Sequence, residues 1–299
     1  MKKFIYKIFA VSIIVIITFA GFSFLANGYT DPFYMRFTTP KQTSLILGTS
    51  RAAQGIQPAV FEDILGKKIS NFAFTVANSP YGYIYLESIK RKINKKHGGF
   101  FIIAVSPWSI SSRCKDPNDT TSFRENGLCL SNTTNISINP NIEYLYKNLQ
   151  GSYIDLFLPQ KHMFLHKDGW LEIKDIPMDS LTVSNRIKAK VKIYRDEVLP
   201  EMKLSSYRLN YLIKTISYLK QYGKVYIVRL PMHKDFMSIE NKLMPNFDNT
   251  IKEAIEISNN YLDLTKDNDK YIYTDGNHLY KSSGKEVSKQ IAEFIKKAN

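Results

Sequence analysis

Residues 100–105 read Phe-Phe-Ile-Ile-Ala-Val, an unbroken apolar run that follows Gly98 and Gly99. Apolar and polar residues do not alternate in it, which is what a strand buried on both faces of a sheet requires. Parallel sheets are buried in this way because helices pack on both of their faces. The run therefore predicts the central strand of a parallel sheet.

Strands and helices alternate on both sides of this run. We predict strands at residues 43–48, 69–74, 225–230 and 261–264, and helices at 58–65, 83–93, 207–222, 247–258 and 282–297. This alternation is typical of a doubly wound, mainly parallel α/β fold with three layers, of the flavodoxin-like kind. Residues 113–185 interrupt it and are rich in Asn, Ser and Asp, so we interpret them as an elaboration beside the sheet edge. The basic segment 186–195 is expected to line that elaboration as a helix or a strand.

The N-terminal residues predict a membrane anchor. Residues 8–25 carry no charge and follow Lys2, Lys3 and Lys7. As a helix they would span about 27 Å, just enough for a thin hydrocarbon core. Lysines before the run predict a cytoplasmic tail at residues 1–7 and an extracytoplasmic remainder, so that the chain is a single-pass protein of the cell envelope. A cleaved secretion signal is the alternative, although no small-x-small cleavage pair follows the run.

The remaining chain is predicted to contain a linker at residues 26–40 and one domain at 41–299. With 41 Lys and Arg against 27 Asp and Glu, the formal charge is +14. Outside the cytoplasm this charge favours a membrane surface or an acidic polysaccharide over nucleic acid, although a lysine-rich genome would give the same composition.

The cysteine content limits the class of protein. Two cysteines exclude a disulfide-rich miniprotein and a four-cysteine zinc site. In an oxidising compartment, Cys114 and Cys129 are expected to form a disulfide that constrains the unfolded chain by about 3 kcal/mol. Two unpaired buried thiols are the alternative.

Three polar clusters are predicted at the carboxyl ends of strands, where open parallel sheets bind ligands. Ser50 follows the first strand on a tight turn, near backbone N–H groups that can stabilise an oxyanion, although a Ser or Thr there can also simply cap a helix. Asp275 and His278 lie three residues apart in a turn, so the carboxylate can orient the imidazole, which can take a proton from a nucleophile. The Asn78 amide can donate to an oxyanion or serve only the turn.

Taken together, the Ser50 cluster and the Asp-x-x-His turn before the last helix resemble the SGNH (GDSL-like) hydrolase superfamily. The resemblance runs from about Thr43 to the C-terminus and is closest at residues 275–284, Asp-Gly-Asn-His-Leu-Tyr-Lys-Ser-Ser-Gly. It is closer still to a membrane-anchored branch that includes the teichoic-acid D-alanylation and alginate O-acetylation proteins. Those proteins carry one N-terminal anchor and an external SGNH domain, and they work with a membrane-bound O-acyltransferase.

The resemblance implies roles for individual residues. Ser50 becomes the nucleophile, His278 its base and Asp275 the orienting partner of the histidine. Thr49 stands where the first motif usually has Asp, and neither the usual oxyanion-hole glycine nor the Gly-x-Asn-Asp motif is evident. Asn78 or the turn at 106–107 is a candidate for the missing oxyanion donor.

The resemblance also implies a function: an extracytoplasmic acyl-esterase or O-acyltransferase acting on a cell-surface or exported polysaccharide through an acyl-serine. The partners are then an acyl donor, the polysaccharide acceptor and, in this branch, a membrane-bound O-acyltransferase. The alternative is a non-catalytic SGNH-like subunit that binds glycan or docks the acyltransferase. Arg51 and Arg229 are candidates for substrate binding, and Arg229 can equally pair with Glu240 or Asp235.

No metal or other cofactor is expected. His162 and His166 are spaced i, i+4, but no third potential ligand follows at a spacing typical of a metal site. Asp267 and Asp269 suggest a calcium loop whose other ligand positions are missing.

Overall fold

The computed structural model describes residues 1–151, 153–158 and 161–298. The α-helices are α1 (Lys2–Phe22), α2 (Tyr34–Thr38), α3 (Ser50–Gly55), α4 (Pro58–Leu65), α5 (Tyr83–Lys92), α6 (Cys129–Asn132), α7 (Ile142–Asn148), α8 (Ser180–Ile193), α9 (Ser206–Lys220), α10 (Lys234–Leu243), α11 (Phe247–Thr250), α12 (Lys252–Ile257) and α13 (Lys281–Lys297). The strands are β1 (Leu45–Leu47), β2 (Ser70–Asn71), β3 (Gly99–Ala104), β4 (Ser111–Ser112), β5 (Met163–Leu165), β6 (Leu171–Ile173), β7 (Lys203–Leu204), β8 (Gly223–Arg229) and β9 (Asn260–Asp263).

Five strands form the main sheet in the order β2-β1-β3-β8-β9, and every neighbouring pair is parallel. This confirms the prediction of a mixed α/β fold with a mainly parallel sheet. Two details differ from the sequence prediction. Strand β2 is short, and the helix predicted at 247–258 is divided into α11 and α12 at Ile251, whose ψ of 13° is not helical.

The sheet separates two apolar cores because successive strand residues point to opposite faces. Leu45, Leu47 and Phe101 lie in one core, which α5, α9 and α12 cover. Ile46 and Ile102 lie in the other, which α3, α4 and α13 cover. Helices on both faces explain why the strands are apolar without alternation.

The segment at 26–40 is part of the domain, which corrects the prediction of a linker. Phe33, Tyr34 and Phe37 are buried in the first core. Asp31 fixes the entry of the chain, since its Oδ1 accepts hydrogen bonds from the N–H groups of Phe33 and Tyr34 at 2.7 and 2.6 Å. Its Oδ2 accepts a third from the Tyr144 hydroxyl at 2.8 Å. Gly and Pro in this segment indicated a linker, but its aromatic residues pack into the first core.

A buried lysine also holds this segment. The Lys92 Nζ lies within hydrogen-bond distance of the carbonyl oxygens of Arg36, Thr39 and Ile136, at 2.8, 2.5 and 2.9 Å, and of the Thr39 hydroxyl at 2.9 Å, and its three N–H groups are shared among them. Four oxygens therefore replace the water that a buried ammonium loses.

Residues 113–185 contain α6, α7 and the antiparallel hairpin of β5 and β6. Helices α6 and α7 contribute Leu130, Tyr144 and Leu145 to the first core. The hairpin reaches the sheet, because Asn71 of β2 donates its backbone N–H to the Asp168 carbonyl at 2.7 Å.

The N-terminal helix is long and apolar enough to span a membrane. With the 3-10 turn at Ser23–Leu25 it forms a run of 24 residues with a mean hydropathy of 2.6 in its most apolar window, and no residue of α1 is buried. The helix begins at Lys2, so residues 2–7 of the predicted tail belong to the same helix as the apolar run that follows them.

We predict that Phe37→Ala lowers the free energy of unfolding by about 3–5 kcal/mol, the usual cost of removing a buried Phe side chain. Urea unfolding of the full chain in detergent, followed by circular dichroism, measures this loss. Lys41→Ala, at a nearby exposed residue, is the control and should change the value by less than about 0.5 kcal/mol. Equal stability of the two variants would show that this segment is not part of the folded core.

Candidate functional site

Ser50 lies at the carboxyl end of β1, where the chain turns sharply into α3. Gly48 makes this turn with a φ of +146°, and a Cβ there would lie only 2.9 Å from the Ala104 Cβ. Thr49 is the N-cap of α3 but makes no capping hydrogen bond with its side chain, and Ser50 is the first helical residue. The Ser50 hydroxyl is therefore free to meet a group outside its own helix.

The turn that carries Asp275 and His278 is folded around the aspartate. Asp275 Oδ1 accepts hydrogen bonds from the backbone N–H groups of Asn277 and His278 at 3.0 and 2.9 Å. Gly276 supplies the positive φ of 81° that the turn requires. A carboxylate fixed by its own turn holds the neighbouring imidazole in one orientation.

Ser50, His278 and Asp275 form a hydrogen-bonded chain. The His278 Nε2 lies 2.8 Å from the Ser50 Oγ, and the Nδ1 lies 2.8 Å from Asp275 Oδ2. With its proton on Nδ1, directed at the carboxylate, the imidazole presents Nε2 as an acceptor for the serine proton. The structure thus brings together three residues that were predicted to act together, two of them more than 220 positions from the first.

Sequence analysis missed a fourth member of this cluster. Lys190 on α8 places its Nζ 2.5 Å from Asp275 Oδ2 and 3.3 Å from His278 Nδ1. The segment 186–195 was recognised as basic, but Lys188 and Lys192 are exposed while Lys190 points to the site. No spacing rule distinguishes the three lysines, because the choice depends on how α8 packs.

Burial and the nearby charges together favour a neutral histidine beside an ionised aspartate. Burial opposes ionisation of Asp275, but His278 and Lys190 outweigh it, so the pKa of the carboxyl lies well below its usual value. Burial lowers the pKa of His278 below the ordinary 6.5, although Asp275 partly counteracts this. Lys190 and Arg51 add to the lowering because each is a nearby cation. A neutral imidazole at neutral pH is the form that can accept a proton.

Arg51 connects the two halves of the site. Its Nε donates to Asn277 Oδ1 at 2.6 Å, and its guanidinium lies 2.7 Å from Glu240, which is 0% exposed. Arg51 also lines the cavity beside Ser50, where it was predicted to bind substrate.

Arg229 occupies a different place from the one predicted. It is buried, with its guanidinium 3.6 Å from Glu240, 3.8 Å from Asp248 and 4.4 Å from the centre of the Phe247 ring. It does not line the cavity beside Ser50. The structure therefore shows the alternative, pairing of Arg229 with Glu240, and places Arg229 away from the cavity where substrate was expected.

The Asn78 side chain is also committed elsewhere. Its Nδ2 donates to the Thr75 hydroxyl at 2.8 Å, and its Oδ1 accepts from the Cys129 thiol at 3.1 Å. Asn78 is buried and does not line the cavity, so the structure does not place its amide as an oxyanion donor. Ser106, the other candidate, does line the cavity together with Ser50.

The predicted disulfide is absent, since Cys114 and Cys129 are both free thiols. Cys129 is buried in the first core, where it contacts Asn78, and burial raises the pKa of its thiol. Cys114 is partly exposed in the cavity wall and lies 3.4 Å from the Ser122 carbonyl. The two side chains belong to different environments, which the number of residues between them did not reveal.

A cavity of about 450 Å³ opens beside Ser50. Its apolar wall consists of Val76, Ala77, Pro80, Trp108, Val198 and Met202. Three arginines besides Arg51 also line it: Arg113 pairs with Glu201, Arg208 pairs with Glu125 at 2.7 Å, and Arg124 is exposed. The volume and the mixed lining are typical of a small-molecule site.

Among residues 1–151, 153–158 and 161–298, no group of three or more His, Cys, Asp or Glu side chains is placed to hold a metal ion. His166 instead pairs with Glu172 at 3.0 Å. Comparison with protein-family models and with curated protein sequences finds no match to this chain. The function of the protein is therefore inferred from the geometry of the site.

We predict that Lys190→Met raises the pKa of His278, because it removes a cation next to Nδ1. Titration of the histidine ring resonances by NMR measures this, with His278→Gln identifying the signal. In the unaltered chain the midpoint should lie below 6.5. Lys192→Met, an exposed lysine on the same helix, is the control and should leave the midpoint in place. A midpoint that does not move in Lys190→Met would contradict the electrostatic role of this lysine.

We also predict that Arg51→Met destabilises the protein by about 3–5 kcal/mol, since it leaves the buried Glu240 carboxylate with only the more distant Arg229. Arg113→Ala removes an exposed ion pair with Glu201 and should cost about 0–1 kcal/mol. Both values come from urea unfolding. Similar losses in the two variants would argue against a buried ion pair that supports the site.

Proposed function

We propose that this chain is a membrane-anchored, extracytoplasmic SGNH-type acyl-esterase or O-acyltransferase that acts on a cell-surface or exported polysaccharide. The observation that carries the proposal is the chain of two 2.8 Å contacts from Asp275 through His278 to Ser50, at the wall of a cavity. A serine, a neutral imidazole and an ionised carboxylate in this order are the parts that acyl transfer through serine requires.

In the first half of the reaction, the Ser50 Oγ attacks the carbonyl carbon of an acyl ester while its proton passes to His278 Nε2. Asp275 stabilises the imidazolium that forms, and backbone N–H groups at the start of α3 are available to the oxyanion. The tetrahedral intermediate then expels the alcohol, which takes the proton from His278. The acyl group remains as an ester on Ser50.

In the second half, His278 takes a proton from the acceptor hydroxyl as that oxygen attacks the acyl-serine. The second tetrahedral intermediate then breaks its bond to the Ser50 Oγ, which takes the proton back from His278 and restores the free enzyme. A sugar hydroxyl as acceptor makes the protein a transferase, and water makes it an esterase. The volume of about 450 Å³ is sufficient for an acyl group together with part of a sugar chain. Lys2, Lys3 and Lys7 before the apolar run support an N-terminus in the cytoplasm and a site outside it.

The alternative is a non-catalytic subunit that binds glycan or docks a membrane-bound O-acyltransferase. One observation favours it: Asn78, the candidate oxyanion donor, does not line the cavity beside Ser50, and its Nδ2 donates to Thr75. The pairing of Ser50 with His278 favours the enzyme, because a binding subunit has no need of a base at 2.8 Å from a serine.

We predict that the full chain in detergent forms an acetyl adduct when it is mixed with 4-nitrophenyl acetate, and that Ser50→Ala abolishes it. Intact-protein mass spectrometry followed by peptide mapping detects the adduct. Turnover should fall about 10⁴-fold in Ser50→Ala and in Asp275→Asn, because the members of such a triad act as a unit. The acid limb of the pH–rate profile should lie below 6.5, since only neutral His278 accepts the proton.

Cys114→Ala is the matched control, because this thiol also lines the cavity and is a possible acylation site. It should retain the adduct and the turnover. A folded chain with neither adduct nor turnover would favour the binding subunit. An adduct lost only in Cys114→Ala would overturn the assignment of Ser50.

A further inference from the structure

A short aromatic segment at residues 153–158 packs against the N-terminal helix. The ring of Tyr153 meets Phe19 edge to face with centroids 5.1 Å apart, and Phe157 meets Phe22 in the same way at 4.7 Å. Residues Tyr153–Leu156 form a 3-10 turn. The segment is therefore attached to a helix that is apolar enough to cross a membrane.

The contact follows the C-terminal part of α1. Tyr153, Ile154 and Phe157 share a groove with the helical residues between Ile14 and Phe22. The eight residue-to-residue steps from Ile14 to Phe22 rise about 12 Å, so the groove extends well into the apolar part of α1. Where α1 crosses a bilayer, the segment lies beside it at the depth of lipid rather than of water.

The contact with α1 leaves much of the apolar surface of the segment exposed. Ile154 is 61% exposed, Phe157 48% and Leu158 71%. The backbone suits an apolar medium, because the N–H groups of Phe157 and Leu158 both donate to the Ile154 carbonyl at 3.0 Å. Tyr153 is of the residue type that collects at the boundary between lipid and water.

We propose that residues 153–158 form a second membrane contact, in which Ile154, Phe157 and Leu158 insert into the leaflet next to the folded domain. The direct continuity with α1 selects lipid acyl chains as the occupant over a second protein. A single helix leaves a domain free to rotate about it, whereas a helix and a second insertion point fix its tilt and rotation. This proposal depends on membrane crossing by α1 and is independent of catalysis.

The experiment uses tryptophan fluorescence of the full chain in nanodiscs made from phosphatidylcholine or from its dibrominated form, which quenches tryptophans that touch acyl chains. Ile154→Trp and Leu158→Trp are the test variants, and the emission of the unaltered chain, which has Trp108 and Trp170, is subtracted. The added emission should be quenched in the brominated discs to an extent comparable with Phe9→Trp, a position within α1.

Ile272→Trp is the matched negative control, because Ile272 is an exposed apolar residue that does not line the groove on α1. Its emission should be the same in both lipids. Unquenched, red-shifted emission from Ile154→Trp would mean that water covers the segment. Unquenched, blue-shifted emission would mean that protein covers it. Either result overturns the proposal when Phe9→Trp is quenched, and an unquenched Phe9→Trp would overturn it by removing membrane crossing itself.

Discussion

The hydrogen bond from Arg51 to Asn277 is the constraint on which the site depends. Arg51 follows Ser50 and Asn277 precedes His278, so this one contact fixes the separation between the two backbones that carry the reacting groups. Glu240, fully buried, holds the guanidinium in place from behind. A buried carboxylate without a cation is costly, and the arrangement is therefore maintained by electrostatics as well as by packing. This tether lies next to the 2.8 Å contact between imidazole and hydroxyl and supports it.

The sheet was predictable from sequence because a strand that is buried on both faces consists of consecutive apolar residues. The apolar runs at 43–48, 100–105 and 225–230 became β1, β3 and β8. The pairing of Ser50 with Asp275 and His278 was predicted from the resemblance that the two motifs carry together, and the short turn between Asp275 and His278 explains why the carboxylate and the imidazole meet. These signals are local in the chain or follow from topology.

The features that sequence analysis missed all depend on side-chain packing between distant segments. Lys190 differs from its neighbouring lysines only in the direction in which the packed helix α8 turns it. Asn78 is buried away from the cavity and its Nδ2 donates to Thr75, so it does not reach the predicted oxyanion hole, and Cys129 is a free thiol because it is buried in the first core. The segment at 26–40 contains Gly and Pro, yet its aromatic residues are buried.

Because residues 26–40 do not form a linker, the domain can move only a short distance from the end of α1. The helical run ends at Leu25, and Asp31 already belongs to the fold, so the connection would reach only about 20 Å even if fully extended. It is shorter than that, because Asn27 and Thr30 close a turn and Gly28 accepts a hydrogen bond from the Leu165 N–H at 2.8 Å. Where α1 crosses a bilayer, the domain is therefore held close to the membrane surface and cannot move away from it on a flexible tether. Its cavity then stays at a constant height relative to the lipid surface, and molecules must come to that height to meet it.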